Sequence, residues 1–414
     1  MIWQSVLGCC SFIALAWLLS ENRRRVSIRL VAKGLLLTFA TGLVLVKVPF
    51  SRDVFVFLNR MVLVLQEATA AGTSFVFGYV GGGPLPFAES YHGSSFILAF
   101  QALPLVLLMS ALSSLLFYWK VLPMVVRGFS WGLHKTMGVG GAEGLSNSVN
   151  VFVGMVEAPL FIRPYIGRMT RSELFSVMTC GMSNIAGTVM ALYASVLGNR
   201  VPDAMGHILV ASIISLPASI TIAKIMIPET GDVTEGELSA PETATSSMDA
   251  VTKGTVQGME LLVNIVAMLI VLVALVSLVN LALGLLPDVY GGPITLQRFM
   301  GSLMTPICWL MGVPWSEALA AGALMGTKTV LNELIAYVDM SRLPAGTLSP
   351  RSLLIMTYAL CGFANPGSLG IMIGGMSTMA PGRRNEIVEL GLRSIVSGTL
   401  TSCTIGSMVA VIGA

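Results

Sequence analysis

Two stretches of this sequence share one pattern: Cys180-Gly181-Met182-Ser183-Asn184-Ile185-Ala186-Gly187 and Cys361-Gly362-Phe363-Ala364-Asn365-Pro366-Gly367-Ser368. Each stretch lies inside a long apolar segment of the kind that forms a membrane helix. Glycine and proline release backbone groups from helical hydrogen bonds, and in lipid such groups are tolerated only beside other protein or a water-filled cavity. Two interrupted hydrophobic segments in corresponding halves of a chain indicate the binding site of a secondary transporter.

The composition places the chain in a membrane. Of its 414 residues, 55% are hydrophobic and only 11% are charged, whereas soluble domains average about 25% charged residues. The six cysteines lie in apolar segments and form no disulfide framework. The net charge of +3 is small and dispersed, so no nucleic-acid partner is expected. The sequence contains no phosphate-binding loop and no hydrolase motif, which argues against an ATP-driven pump and against an enzyme.

Hydropathy predicts eight transmembrane helices, at 1–20, 28–49, 94–118, 173–197, 205–227, 256–286, 352–377 and 388–413. The first lacks the basic start of a signal peptide. The cluster Arg23-Arg24-Arg25 after it predicts a cytoplasmic loop, which puts both termini outside. The segment Ser51–Glu67 has apolar residues at helical spacing but is too short and mixed to span, so it is predicted to be an interfacial helix.

Two polar segments, 141–166 and 297–340, are predicted to be re-entrant hairpins. The order hairpin, broken span, span occurs twice, and the number of preceding spans makes the two copies inverted repeats. The predicted fold is therefore an all-α polytopic membrane protein with eight spans, two opposed hairpins and interfacial helices. Its predicted organisation is a scaffold part at 1–140, repeat one at 141–227, an acidic cytoplasmic linker at 228–255, a scaffold span at 256–299 and repeat two at 300–414.

Acidic side chains inside a membrane are costly unless paired or hydrated, so they mark candidate functional sites. Glu157 and Glu333 are the strongest candidates, because each lies in a predicted hairpin beside an Asn or a helix breaker. A carboxylate that caps a hairpin helix is the alternative, and for Glu143 and Glu317 it is at least as good an explanation. Lys328 is predicted either to pair with one of these acids or to extend to the membrane surface.

Neutral oxygen donors also lie beside the interruptions: Asn150, Asn184, Asn365 and Ser368. With freed backbone carbonyls they suit a sodium ion, and with carboxylates they suit a substrate rich in hydroxyl groups. An isolated Asn in a membrane helix usually joins helices. The duplication at matching positions favours a binding site.

At these residues the sequence resembles the concentrative nucleoside transporter family, bacterial branch, over essentially its whole length. The resemblance rests on four motifs in the family's order: the hairpin segment Asn150–Pro159, then Asn332–Tyr337, Ala359–Asn365 and Ala380–Arg384. It implies sodium- or proton-coupled uptake of nucleosides by a homotrimer in the bacterial cytoplasmic (inner) membrane, with no cofactor besides the coupling ion. Sodium is favoured because Asn150 and its flanking turn are present.

The resemblance also assigns site residues. It implies that Glu333, Asn365 and Ser368 bind the ribose hydroxyls. It places Glu157, with Met155 and Val156 before it, opposite the nucleobase, and Val189 beside the base. The implied sodium ligands are Asn150, the backbone at Val153 and Ile185, and Asn184.

The chain departs from the family pattern at two places. Met155-Val156 stands where the family has Gln-Thr, which removes two polar contacts to the base. Asn184 stands where a Ser is usual at the sodium-binding turn. The alternatives are therefore a symporter for another ribosylated or modified-base compound and, from another class, a passive nucleoside channel.

Overall fold

The computed structural model of the chain describes residues 2–47, 49–88, 95–198, 200–235, 244–288 and 293–413. Within these ranges the regular secondary structure is helical, with no strand. The predicted all-α class is confirmed there. The middle of the predicted linker (236–243) and the first residue of each of the first and third predicted spans lie outside the described residues.

Five helices begin the range predicted as scaffold: α1 (Ile2–Leu18), α2 (Ile28–Lys47), α3 (Pro49–Phe77), α4 (Leu98–Gln101) and α5 (Leu105–Tyr118). Helix α3 contains the predicted interfacial segment but continues past Glu67. Alanines favour the continuation, and α3 ends before Gly78, whose φ of +61° suits glycine.

Helix α6 (Val121–Met137) ends the range predicted as scaffold, and the range predicted as the first repeat contains six helices: α7 (Gly141–Val149), α8 (Glu157–Leu160), α9 (Arg163–Ile166), α10 (Arg171–Ser183), α11 (Gly187–Leu197) and α12 (Ala204–Met226). The chain is irregular at 150–156, between α7 and α8. It breaks again between α10 and α11. Thr170 and Glu173 form a capping box that starts α10.

The rest of the chain forms α13 (Ser247–Leu283), α14 (Leu296–Met311), α15 (Trp315–Val330), α16 (Glu333–Arg342), α17 (Pro350–Leu360), α18 (Pro366–Met379) and α19 (Arg384–Ile412). Helix α13 begins inside the range predicted as linker, because Ser246 caps it by accepting a hydrogen bond from the Asp249 amide. Before the undescribed part of the linker, Thr234 bonds to the Glu173 carboxylate through its amide and its hydroxyl.

Both repeats follow one order of elements. A helix pairs with a second helix, the chain breaks, a short helix follows, and then come a broken span and a long helix. In the first repeat the order is α6, α7, α8–α9, α10–α11 and α12, and in the second it is α14, α15, α16, α17–α18 and α19. The predicted repetition is therefore confirmed, with α6 and α14 as an additional matching pair.

Seven stretches of the described chain are long and apolar enough to cross a membrane: 28–47, 60–81, 98–118, 171–197, 204–226, 247–283 and 381–412. Six of them match predicted spans, and 60–81 lies mostly in α3. The first predicted span is the shorter apolar helix α1. The seventh predicted span falls outside this set because the break between α17 and α18 leaves two halves of 11 and 14 residues.

The two broken spans touch each other at their breaks. Gly362 has a φ of +140°, and a Cβ there would lie 2.9 Å from the backbone of Met182 and Ser183. Gly398 of α19 faces Met182 at similarly short range. The missing side chain at Gly362 in the second Cys-Gly motif therefore leaves room for the backbone of the first motif.

The remaining helices contact both one another and the helices of the repeats. Helices α1 and α2 pack on α12 and α19, and α1 also packs on α14. Helix α5 packs on α13. The predicted division into scaffold and repeats stays a prediction, but α1 and α2 lie against the long helices of the repeats.

Candidate functional site

A cavity of about 1600 Å³ lies between α5 and α13 on one side and the interrupted segments of both repeats on the other. All seven residues predicted to bind substrate line it: Met155, Val156, Glu157, Val189, Glu333, Asn365 and Ser368. The structure therefore brings together residues spread over two hundred positions of sequence. The polar stripe Gln257, Glu260 and Asn264 of α13 faces them across the cavity.

Glu333 is the acid of the cavity that side chains of other helices bind. It is the first residue of α16, and Asn332 caps that helix by accepting a hydrogen bond from the Ile335 amide at 2.9 Å. The Tyr193 hydroxyl donates to Glu333 Oε1 at 2.7 Å, and Asn365 Nδ2 donates to Oε2 at 3.2 Å. One carboxylate thus joins the second hairpin to both broken spans.

The Asn365 amide is oriented by its own helix. Asn365 caps α18, and its Oδ1 accepts a hydrogen bond from the Ser368 amide at 2.8 Å. This bond turns Nδ2 toward Glu333. Pro366 at the first helical position costs no hydrogen bond, because its missing N–H would have no partner in the first turn.

Glu157 is bound differently. It starts the short helix α8, and its carboxylate folds back over Gly154, where any Cβ would collide with Oε2. The carboxylate therefore lies against the backbone of its own loop.

Met155 and Val156 fit against glycines of the two broken spans. A Cβ at Gly181 would lie 2.9 Å from Met155 Cβ, and a Cβ at Gly375 would lie 2.5 Å from Val156 Cγ1. With Val189, which is 4% exposed, these side chains give the first repeat an apolar wall on the cavity.

The predicted cation ligands lie mostly behind the cavity. Only Val153 lines it, whereas Asn150, Asn184 and Ile185 are buried. Asn150 Nδ2 and the backbone N–H of Asn184 both donate to the Cys180 carbonyl at 3.1 Å, so the structure brings these two residues together. Asn184 Oδ1 accepts from the Ile185 amide at 3.0 Å, and its Nδ2 has no partner among the described residues.

The other acids weighed from sequence lie outside the cavity. Glu317 accepts hydrogen bonds from the Ser349 amide and hydroxyl at 3.0 Å, just before α17, as a capping carboxylate does. Glu143 is fully buried and pairs with Lys224 at 3.0 Å. Lys224 also binds Glu229 at 2.9 Å. Burial raises the pKa of Glu229, but the Lys224 ammonium outweighs it and holds that pKa below its usual range.

Sequence reasoning missed Tyr193. It is the seventh residue of α11, in the second half of a broken span, and nothing local distinguishes it from a packing aromatic. Its ring packs on Tyr337 with centroids 5.2 Å apart, and its hydroxyl reaches Glu333 across 140 positions of sequence.

Comparison with known proteins decides the family. The chain matches the families described as "Na+ dependent nucleoside transporter C-terminus" over residues 207–410, "Na+ dependent nucleoside transporter N-terminus" over 7–80 and "Nucleoside recognition" over 99–200. It is 33% identical to "Putative nucleoside permease NupX" of Escherichia coli, over 97% of this chain and 96% of that protein. The chain belongs to the concentrative nucleoside transporter family. This is a family of membrane transporters, not of enzymes.

Two further similarities extend along the whole chain. "Uncharacterized transporter YutK" of Bacillus subtilis is 37% identical, with 97% of both chains covered. The solved structure titled "Structure of CNTnw in an inward-facing substrate-bound state" superposes with a TM-score of 0.90 at 34% identity, covering 100% of this chain and 99% of that one. This confirms the predicted fold class, an all-α polytopic membrane protein, and the two hairpins at 141–166 and 297–340 are consistent with it.

Proposed function

We propose that this protein is a cation-coupled symporter that imports nucleosides by alternating access. The observation that carries the proposal is the Glu333–Asn365 pair, which joins the second hairpin to a broken span at the wall of the cavity. A cavity closed by two interrupted helices is typical of a carrier. A passive nucleoside channel, the alternative from another class, is less well supported for the same reason.

The ribose would bind at the second repeat. A carboxylate accepts hydrogen bonds from two neighbouring hydroxyls, and Glu333 lies where Asn365 and Ser368 can also reach them. A hydrogen bond to a charged group contributes about 1.5–3 kcal/mol. Two such bonds would explain how the site selects a ribosylated compound.

The base would lie against the first repeat. Met155, Val156 and Val189 offer it apolar contact, and Glu157 is the acid on that side. Because the Glu157 carboxylate folds back over Gly154, few polar groups remain to form hydrogen bonds with the edge of a base. This arrangement also supports the alternative substrate, another ribosylated or modified-base compound.

The cation would bind at the turn behind that wall. Asn150, the Val153 and Ile185 backbone and Asn184 would supply the ligands, sodium being favoured over a proton. In the present arrangement the Asn184 oxygen is bonded to the Ile185 amide, so Asn184 would turn its amide before ligating a cation. Cation binding would thus order the turn that carries Met155 and Val156.

Two further properties belong to the proposal. The protein would form a homotrimer, and it would lie in the cytoplasmic (inner) membrane of a bacterium.

The test is uptake of labelled purine and pyrimidine nucleosides into proteoliposomes under an imposed sodium or proton gradient. The proposal expects accumulation above equilibrium under one gradient. Equilibration without accumulation would establish the channel instead. Uptake that no gradient stimulates, for any nucleoside, would refute symport.

A further inference from the structure

The cavity has acidic groups inside and basic groups at its opening. The carboxylates of Glu157 and Glu333 lie inside, whereas four cationic side chains line the part that meets the solvent. Three of the four are exposed and one is half-buried. They come from the start and the middle of α6, from α9 and from α13, and together we call them the basic rim: Lys120, Arg127, Arg163 and Lys253.

The basic rim lacks matching negative charge. Among the described residues, no carboxylate lies within ion-pair distance of Lys120, Arg127 or Arg163. Lys253 pairs with Asp249, one turn away on α13, at 3.3 Å. The lining also includes the exposed carboxylate of Glu260, so four cations stand against one rim acid. The opening therefore carries net positive charge, which attracts an anion.

A further cation near the site does not contribute to the cavity. Lys328, in the last turn of α15, is 1% exposed, and its Nζ donates to the Ala359 carbonyl at 2.9 Å. It neither lines the cavity nor extends to the membrane surface. The cationic groups that a ligand in the cavity can contact are therefore those of the basic rim.

Lys120 is held in an unusual backbone conformation. Its φ of +61° lies in the left-handed region, and Asp203 is the other described non-glycine residue with a positive φ. A glycine would adopt this conformation at lower cost. The backbone alone therefore does not explain a lysine at the start of α6, whereas a role for its ammonium group at the opening does.

The cavity extends well beyond the predicted ribose site. Helix α13 lines it from Lys253 to Leu272, which at 1.5 Å per residue is about 28 Å. The inner end lies where Leu272 meets Gly367, since a Cβ on that glycine would lie 2.7 Å from Leu272 Cδ1. Gly367 adjoins Ser368, so a ribose bound there leaves the part of the cavity beside Lys253 free.

We propose that the basic rim binds the phosphate of a nucleotide that enters the cavity from the predicted cytoplasmic side and blocks the release of nucleoside. Arginine presents two parallel N–H donors that match phosphate oxygens, whereas an uncharged nucleoside gains little from four cations. This inference rests on the proposed function, because a passage for nucleosides also admits the base and sugar of a nucleotide. Phosphorylation of the imported nucleoside is the class of reaction that forms such a ligand.

The test measures binding of labelled purine and pyrimidine nucleoside monophosphates to the detergent-solubilised full chain. Inorganic phosphate and a soluble phosphatidylglycerol compete in separate arms, because a free phosphate and a lipid headgroup offer the same chemistry. The rim variant combines Arg127→Gln with Arg163→Gln. The control variant combines Lys135→Gln with Arg168→Gln, which removes the same charge from α6 and from the residues just after α9, neither of which lines the cavity.

Wild type and the control variant are expected to bind nucleotide within about threefold of each other, since exposed charges away from the ligand contribute little. The rim variant should bind at least about tenfold more weakly, because charge-assisted hydrogen bonds to phosphate are lost. High salt should weaken wild-type binding and reduce the difference between the variants. Nucleoside affinity should be the same in all three proteins, which also shows that the variants fold.

Uptake gives a second readout. Nucleotide present on both sides of the proteoliposome membrane should slow nucleoside uptake by wild type and by the control variant, but not by the rim variant. Lys120→Gln combined with Lys253→Gln is a second rim variant, with the same expected losses, and it decides the question if the first does not fold.

Equal nucleotide binding by wild type and the rim variants would overturn the inference, because the nucleotide would then bind through its nucleoside part alone. Inorganic phosphate that binds as tightly as the nucleotide would overturn it too, as would soluble lipid that displaces the nucleotide at equal concentration or wild-type uptake that nucleotide does not slow. Failure of the symport proposal is distinct, because it would show as wild-type uptake that no gradient stimulates, whereas nucleotide binding in detergent needs no gradient.

Discussion

The two repeats present different chemistry to one cavity. The second repeat contributes a carboxylate held by side chains of two other segments, since Glu333 binds both Tyr193 and Asn365. The first repeat contributes the apolar pair Met155-Val156 and a carboxylate, Glu157, that lies against its own loop. The backbone arrangement is the same in both repeats: a hairpin helix ends in a break, and this break lies beside a broken span.

This difference suggests that one side of the cavity binds the sugar and the other side binds the base. A side-chain network has a fixed geometry and suits the hydroxyls of a sugar, which need donors and acceptors at defined positions. An apolar wall tolerates different shapes and suits a variable base. If this division is right, substitutions in the Glu333 network should reduce uptake of every nucleoside, and substitutions in the apolar wall should change the preference among them.

The largest effect is expected for Glu333→Gln. The amide keeps one acceptor, but its NH₂ group meets the donors of Tyr193 or Asn365, and the charge-assisted bonds to substrate are lost. At about 1.5–3 kcal/mol for each bond, kcat/KM for uptake should fall at least about 100-fold for purine and pyrimidine nucleosides alike.

The matched control is Glu260→Gln, which removes an exposed carboxylate from the same cavity. It should change uptake by less than about threefold, since exposed charges contribute little. Equal losses in the two variants would show that the charge of the cavity matters and the Glu333 network does not.

Tyr193→Phe should have the next largest effect. It removes the 2.7 Å bond to Glu333 Oε1 and leaves the ring in place. Loss of one donor to a charged acceptor, at about 1.5 kcal/mol, should raise KM about tenfold for all nucleosides. Tyr337→Phe is the control, because its hydroxyl donates to the Thr357 carbonyl at 2.8 Å and not to Glu333. A larger KM change in Tyr337→Phe would contradict the assigned role.

The sequence was sufficient to name Glu157, Glu333, Asn365 and Ser368 as site candidates, and all four line the cavity. Glu333 and Asn365 each stand at a helix start in an apolar context, and an uncompensated polar group in lipid is visible in sequence alone. The repetition of the Cys-Gly motif likewise predicted the two breaks, now seen at Asn184 and between Cys361 and Asn365.

What sequence could not supply was the set of partners. Tyr193 looks like any aromatic residue of an apolar helix, and its role depends on a contact 140 positions away. The direction of the Glu157 carboxylate follows from the fold of its own loop around Gly154, which no periodicity predicts.

A smaller and selective effect is expected when Met155→Gln and Val156→Thr are combined. The pair adds polar groups at the wall assigned to the base, each able to form a neutral hydrogen bond of about 0.5–1.5 kcal/mol. The ratio of kcat/KM between nucleosides should change about tenfold while the best substrate changes less. Competition uptake with a panel of bases measures this.

The control for that pair is Met372→Leu, a buried apolar exchange on the same packing layer near Gly181. It should leave the ratio unchanged. If the double variant lowers uptake of all nucleosides equally, Met155 and Val156 only pack the broken spans against one another, and the first repeat does not read the base.

The smallest effect is expected at the cation turn. Asn184→Ser removes the Nδ2 group that has no partner among the described residues and offers a hydroxyl oxygen in its place. If the turn binds the coupling cation, the half-saturating cation concentration should fall about threefold, with the nucleoside preference unchanged, because one buried donor no longer opposes the ion. Asn147→Ser, which changes a buried amide bonded to Ser176 at 3.2 Å, is the matched control and should have no such effect. An equal change in both variants, or an increased cation requirement in Asn184→Ser alone, would mean that the first repeat uses Asn184 to hold its backbone and that the cation binds elsewhere.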